Sequence, residues 1–245
     1  MSSQAIPKII HQTWKSNVVP RRLRRYQESW RHHHPGWEYR FWDDEANEAL
    51  IAEHYPEFWD HYRRVTPAIL KVDLVRLAYL HRHGGVYADL DYEVIRPLDD
   101  LFNTSCAIVG RERGGIGWPI RGRDYVINAL MASPPGHPLW LDVMHGMVGA
   151  YRPRRPFERH TRYVIRMAIA ILDDHVEDHL RGDGDVVVLP YEILYPSIPT
   201  QRITEHRQRI AEVLGAYGIH HYDNSWRTPL SRLVNRGRVI VQRWR

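Results

Sequence analysis

Asp89 and Asp91, in the stretch Val86-Tyr87-Ala88-Asp89-Leu90-Asp91-Tyr92, are the pair whose type and spacing most directly suggest chemistry. In an extended strand, residues two apart share a face, so Tyr87, Asp89 and Asp91 point one way and Ala88 and Leu90 the other. At a rise of ~3.3 Å per residue the carboxylates stand ~7 Å apart. In a partly buried site their repulsion is relieved by a cation. A hard divalent ion, Mn²⁺ or Mg²⁺, takes oxygen ligands and keeps positions open for phosphate oxygens. A bare Asp-x-Asp is more often a solvated strand end than a metal site, so its surroundings decide. Upstream, Asp73 and Arg76 lie at i, i+3 on one helical face and reach the same neighbourhood through Gly84-Gly85. They read either as an intrahelical ion pair or as a sugar-hydroxyl acceptor beside a phosphate donor.

The elements that must position these groups follow from periodicity and breakers. Residues 66–83 read as a helix with Thr66 as N-cap, Pro67 in the first turn and Gly84-Gly85 as terminator. Residues 86–95 read as one strand ended by Pro97. Ahead of them, residues 6–14 form a first strand, and Leu23, Tyr26 and Trp30 recur as on a helix that stops at Pro35-Gly36. Trp37, Tyr39 and Phe41 then alternate as in a strand, Asp43 and Asp44 cap a helix, and Pro56 opens another. Residues 107–110 and 186–189 are apolar runs of buried-strand type, separated by helical patterns at 139–150 and 162–180. Strands alternating with helices predict an α/β fold, a sheet covered on both faces, within a single domain over residues 1–245.

Composition narrows the class. With 43% hydrophobic and 26% charged residues the chain is globular, and its single cysteine, Cys106, excludes an internal disulfide. A net charge of +5 favours anionic partners. Nucleic acid is not expected, because no recognition motif accompanies the charge. No charged and apolar leader opens the chain, and the most apolar stretch, 164–172, is broken by Arg166. The expected location is therefore cytoplasmic or peripheral to a membrane. The basic segment 231–245 is expected to be a solvated terminal element able to touch an anionic membrane. His32-His33-His34 reads as a solvated helix end, and Arg111-Glu112-Arg113-Gly114-Gly115-Ile116-Gly117 as an ordinary loop.

The string Asp73-Leu74-Val75-Arg76-Leu77-Ala78-Tyr79-Leu80, with Gly84-Gly85-Val86-Tyr87-Ala88-Asp89-Leu90-Asp91, resembles the DxD glycosyltransferases related to the fungal outer-chain α-1,6-mannosyltransferase. Mannosyl-inositolphosphoceramide synthases and bacterial capsular sugar transferases share the pattern. Ile6-Pro7-Lys8-Ile9-Ile10-His11-Gln12-Thr13-Trp14 is similar to that family's opening, Pro134-Pro135-Gly136-His137-Pro138 to a middle block, and His220-His221-Tyr222-Asp223-Asn224-Ser225-Trp226 to its closing element.

The resemblance implies a GT-A-type fold with a central mixed sheet, a nucleotide-sugar donor, Mn²⁺ or Mg²⁺, and retention of anomeric configuration. It implies Asp89, Asp91 and Arg76 as the catalytic set, with His11, Trp14, Asp73, Tyr87, Asn224, Ser225 and Trp226 also contacting the donor. Asp89, Asp91 and His221 are the metal ligands it suggests. Within that family the lean is to mannose from GDP-mannose, with a UDP-sugar of glucose, galactose or N-acetylglucosamine as alternative and a glycan or glycolipid as acceptor. The stretch Arg155-Pro156-Phe157-Glu158-Arg159-His160-Thr161-Arg162 departs from the family pattern. A Ca²⁺-dependent carbohydrate-binding module is the alternative of another class, and it requires no nucleotide.

Overall fold

The computed structural model describes residues 5–113, 123–182, 184–196 and 204–223. Strand β1 (Ile9–Thr13) leads through α1 (Arg21–His33) to β2 (Glu38–Trp42), which pairs parallel to β1 with Gln12 opposite Phe41. Helix α1 turns Leu23, Tyr26, Gln27 and Trp30 inward, the stripe expected of a one-faced helix. Helix α2 (Asp44–His54) is capped by the Asp43 carboxylate, which accepts from the Ala46 amide at 3.0 Å, and α3 (Pro56–Arg64) begins on its proline. Helix α4 (Ile69–His83) and strand β3 (Gly85–Ala88) form the unit that carries the site. There follow β4 (Tyr92–Val94), β5 (Ala107–Glu112), β6 (Tyr125–Ser133), α5 (Pro138–Ala150), α6 (His160–Met167), α7 (Ile169–Arg181), β7 (Val186–Leu189), α8 (Tyr191–Leu194), α9 (Thr204–Val213) and β8 (Gly218–His220).

Among the described residues, six strands make the main sheet in the order β2-β1-β3-β6-β5-β7, with β6 antiparallel to both neighbours and the other pairings parallel. Strand residues alternate between two cores. Tyr87, Val109 and Met131 face a cluster with Leu74, Ala78, Trp140 and Met144, while Val86, Ala88 and Ile108 face Trp30 and Leu194. Helices α4 and α5 thus cover one face and α1 and α8 the other, the mixed α/β sheet expected. Among the described residues no helix is long and apolar enough to cross a membrane.

Three local readings change. Residues 86–95 are not one strand: the Tyr92 amide closes back on the Asp89 carbonyl at 2.9 Å, β3 ends at Ala88, and β4 pairs antiparallel with β8 in a separate two-stranded sheet. Both faces of β3 are buried, which suits Val86, Tyr87 and Ala88 but not adjacent carboxylates, and the chain turns where the acids begin. Thr66 does not cap α4, which opens at Ile69; the Thr66 amide and carbonyl instead meet the Tyr151 and Tyr163 hydroxyls. Strand β6 was not anticipated: all nine of its residues are buried, so it carries no alternating pattern.

The join between α4 and β3 needs both glycines. Gly84 and Gly85 have φ of 65° and 90°, and a Cβ on Gly85 would stand 2.5 Å from the Ile9 carbonyl. That contact lets β3 lie against β1 immediately after the helix ends.

Candidate active site

Helix α4 runs back along the sheet, bringing Asp73 and Arg76 to the edge where β3 ends. Both are buried, at 4% and 3% exposure, and such charges persist in an interior only when paired and hydrogen-bonded. The Arg76 guanidinium stands 3.2 Å from a carboxylate oxygen of Asp73 and 3.2 Å from Asp89, and donates to the Asn128 carbonyl at 2.8 Å. The Asn128 amide donates to Asp73 Oδ1 at 2.9 Å, and the Tyr87 hydroxyl donates to Asp89 Oδ1 at 2.6 Å. Tyr87 also stacks against the guanidinium, 4.7 Å from ring centre to Cζ. Burial pushes the Asp73 carboxyl up to about 6 against the opposing pull of Arg76. Burial works against the charge on Arg76 too, but Asp89, Tyr87 and Asp73 together raise its pKa.

Past the turn, Asp91 is fixed from the other side of the chain. It accepts from the Asp223 amide at 2.6 Å and lies 3.3 Å from His220 Nε2, while its carbonyl accepts from the His221 amide at 2.9 Å. Burial raises the Asp91 carboxyl, yet His220 and the Asp223 amide outweigh it and leave its pKa lowered. Asp89 goes the other way, raised by burial against Arg76, with the Asp91 charge adding to the rise. Burial lowers His220, but its contact with Asp91 prevails and raises it.

Asp89, Asp91 and His220 each offer a ligand atom, all within 4.8 Å of one another. His220 Nδ1 is buried and makes no hydrogen bond among the described residues. Two carboxylate oxygens and an imidazole suit a divalent ion such as Mn²⁺, and Nε2 is the ring nitrogen that faces Asp91. The residues present therefore fit the metal that the sequence suggests.

The other residues singled out in the sequence fall in different places. His11 is fully buried beneath the join: the Trp42 indole donates to Nδ1 at 3.1 Å and Nε2 pairs with the Gly84 carbonyl at 2.9 Å, so both nitrogens are committed internally. Burial pushes its pKa down to about 3. It positions the glycine turn rather than facing a donor. The neighbour on the opposite face of β1, Gln12, is the one that reaches the site: its amide donates to the Asp89 carbonyl at 3.3 Å, and Tyr39 and Gln27 continue the chain of hydrogen bonds behind it. Trp14 is partly buried against Leu90, Val19 and Tyr26, just past the end of β1 and on the edge that holds Asp89. His221 turns away from the carboxylates, with Nε2 2.6 Å from Glu93 and its ring stacked on Tyr26; the imidazole that joins Asp89 and Asp91 is His220. Asn224, Ser225 and Trp226 lie outside the described residues.

Three site residues escaped the sequence. Asn128 sits on β6, which carries no alternating pattern, and Gln12 and His220 each stand one residue from a histidine that the sequence suggests. The period-two rule applied to β1 separates Gln12 from His11, and the same alternation continued past β8 separates His220 from His221, but neither says which face meets the acids.

Residues 20–108 match the family described as a glycosyltransferase sugar-binding region containing a DXD motif. Inositol phosphoceramide mannosyltransferase 3 of Schizosaccharomyces pombe is 36% identical over 165 residues, covering 67% of this chain and 42% of its own. Mannosyl phosphorylinositol ceramide synthase CSH1 of Saccharomyces cerevisiae is 33% identical over 144 residues, 59% of this chain and 36% of its own. The chain thus spans about two fifths of the length of these relatives. Among solved structures, the PaToxG glycosyltransferase superposes with a TM-score of 0.54 at 14% identity, covering 88% of this chain and 90% of that one. The UDP-bound glycosyltransferase domain of the YGT toxin gives 0.52 at 10% identity, over 76% and 80%. The protein is related to the DXD-containing glycosyltransferases and has their GT-A-type fold.

Proposed function

From the convergence of Asp89, Asp91 and His220 beside the buried Arg76, we propose a retaining glycosyltransferase that moves a hexose from a metal-bound nucleotide-sugar donor to a glycan or glycolipid acceptor. In this reading Asp89, Asp91 and His220 hold Mn²⁺ or Mg²⁺. Bound there, the ion neutralises charge on the nucleoside diphosphate as the glycosyl–phosphate bond breaks.

The chain's own residues do the remaining work. Arg76 keeps a fixed positive charge at the site in a low-dielectric setting, where it stabilises developing charge without reorganising. Asp73, ionised above about 6, accepts donor-sugar hydroxyls and is oriented by Asn128. The Asp223 amide and the Gln12 chain hold the two metal-binding acids in register. Trp14, at the open edge, flanks the nucleobase. Attack by the acceptor on the leaving-group face needs no protein base, because a diphosphate oxygen takes the acceptor proton.

The relatives named as mannosyltransferases support mannose as the sugar, and GDP-mannose is the donor proposed to carry it. The YGT toxin domain, similar in fold and bound to UDP, keeps a UDP-sugar as the second reading. A Ca²⁺-dependent sugar-binding module accounts less well for a buried arginine spent on the site. Nucleotide release from a panel of GDP- and UDP-sugars with Mn²⁺ present tests the proposal. Release from GDP-mannose alone is expected, release from a UDP-sugar selects the second reading, and sugar binding with no nucleotide requirement contradicts both.

A further inference from the structure

The stretch that departs from the family pattern has a structure of its own. Between residues 152 and 166 the chain carries six arginines and one acid, Glu158. That acid organises the loop leading into α6. Arg152 binds it through two hydrogen bonds of 2.7 and 2.8 Å, the Arg155 amide donates to it at 3.2 Å, and Arg154 donates to its backbone carbonyl at 2.6 Å. Hydrogen bonding from Arg152 holds the Glu158 carboxyl down at about 2, so the knot stays charged at any physiological pH.

The knot fixes what it displays. Phe157 is fully exposed at the tip, at 102% of its reference area, with a φ of 67°. That left-handed backbone disfavours a bulky side chain, so the ring is held outward at a conformational cost, packed against none of the described residues. Arg155, Arg159 and Arg162 are exposed beside it, and their guanidiniums have no acid partner among the described residues. With Arg166, which lies 3.7 Å from Glu158, they border an open basin of about 390 Å³.

We infer that this loop and the first turns of α6 dock on the anionic face of a phospholipid bilayer. A solvated basic face accounts for the arginines but not for the ring. An outward aromatic flanked by guanidiniums with no acid partner among the described residues is the pattern of an interfacial anchor: the ring enters the headgroup boundary and the cations meet lipid phosphates.

The loop's attachment gives the contact a direction. The Tyr163 hydroxyl donates to the Arg152 carbonyl at 2.5 Å and to the Thr66 carbonyl at 3.3 Å, tying the loop to the start of α4. Thr66 stands just ahead of α4, whose first residue Ile69 is seven residues from Arg76, roughly 10 Å at helical rise. The loop therefore rims the same edge of the sheet as Asp89. Docking would set the site mouth toward the headgroups, where a membrane-held acceptor presents its hydroxyl. That orientation rests on the proposed transferase reading; the membrane contact itself does not.

Co-sedimentation of the full chain with vesicles tests it, using phosphatidylcholine alone and phosphatidylcholine mixed with phosphatidylserine. Binding to the mixed vesicles only is expected, weakening steeply with salt. The triple variant R155Q/R159Q/R162Q should lose about 100-fold in partition, since each arginine near an anionic surface contributes about a fivefold gain. Phe157→Ser should lose about tenfold. All four side chains are exposed and outside the Glu158 knot, so melting temperatures should not move. No binding to either vesicle overturns the inference, as does equal binding to both. Binding that survives the triple substitution places the contact elsewhere, the basic segment 231–245 included, and also overturns it. Failed nucleotide turnover leaves this outcome unaffected.

Discussion

Two assemblies of arginine and carboxylate among the described residues are unbalanced, and in opposite directions. In the interior, Asp73, Asp89 and Asp91 surround Arg76 and His220, so acid exceeds base. On the surface, six arginines surround Glu158. Uncompensated charge costs several kcal/mol when buried and little when solvated. In the interior, accordingly, every acid is held by named partners, and the excess is informative in itself: with burial, it pushes the Asp73 and Asp89 carboxyls up, and a bound cation relieves it. At the surface the arginine count says little, and the exposed Phe157 gives the patch its meaning.

The interior half of the comparison breaks most sharply at Asp91. Asp91→Asn removes the excess charge and should lower transfer at least about 100-fold, measured as donor turnover with Mn²⁺. Unchanged turnover would mean the excess has no catalytic role.

His11 is the interior's neutral counterpart, a titratable group kept uncharged. Its pKa is depressed from 6.5 to about 3 in the folded state, so its contribution to stability is present above pH 6.5 and lost as pH falls toward 3. By pH 5 the loss from this one group should reach about 2 kcal/mol. Urea unfolding at pH 7 and pH 5 should show that increment in the wild type and not in His11→Gln.

Asp73 gives the smallest expected effect. Its raised pKa means the folded state favours the protonated acid, so that its stabilising contribution is full below 3.8 and is lost as pH rises through about 6. Activity runs the other way, because the ionised form binds donor hydroxyls. The kcat/KM profile should rise through about pH 6, and Asp73→Asn should remove that limb and cost about tenfold.

Much of this arrangement was legible in the chain, and the limits have physical causes. The α4-Gly84-Gly85-β3 unit could be read because a helix, two residues free to take positive φ, and a short apolar strand are each locally encoded. The two aspartates were found by spacing, yet for the wrong geometric reason: they converge by a turn after Ala88, not along one strand face. Periodicity locates strands with one wet face, so β6, buried on both sides, left no mark, and Asn128 went with it. Choosing His220 over His221 required knowing that β8 pairs with β4 with His220 opposite Tyr92, a contact across more than 120 residues that no local signal carries.

Calorimetry of Mn²⁺ binding in the presence of GDP, with UDP in parallel, tests the central claim most directly when run on wild type, Asp91→Asn, His220→Ala and His221→Ala. The account predicts nucleotide-linked Mn²⁺ binding that Asp91→Asn abolishes, that His220→Ala weakens about tenfold or more, and that His221→Ala leaves nearly unchanged. Equal affinity in wild type and Asp91→Asn, or a greater loss in His221→Ala than in His220→Ala, would contradict it.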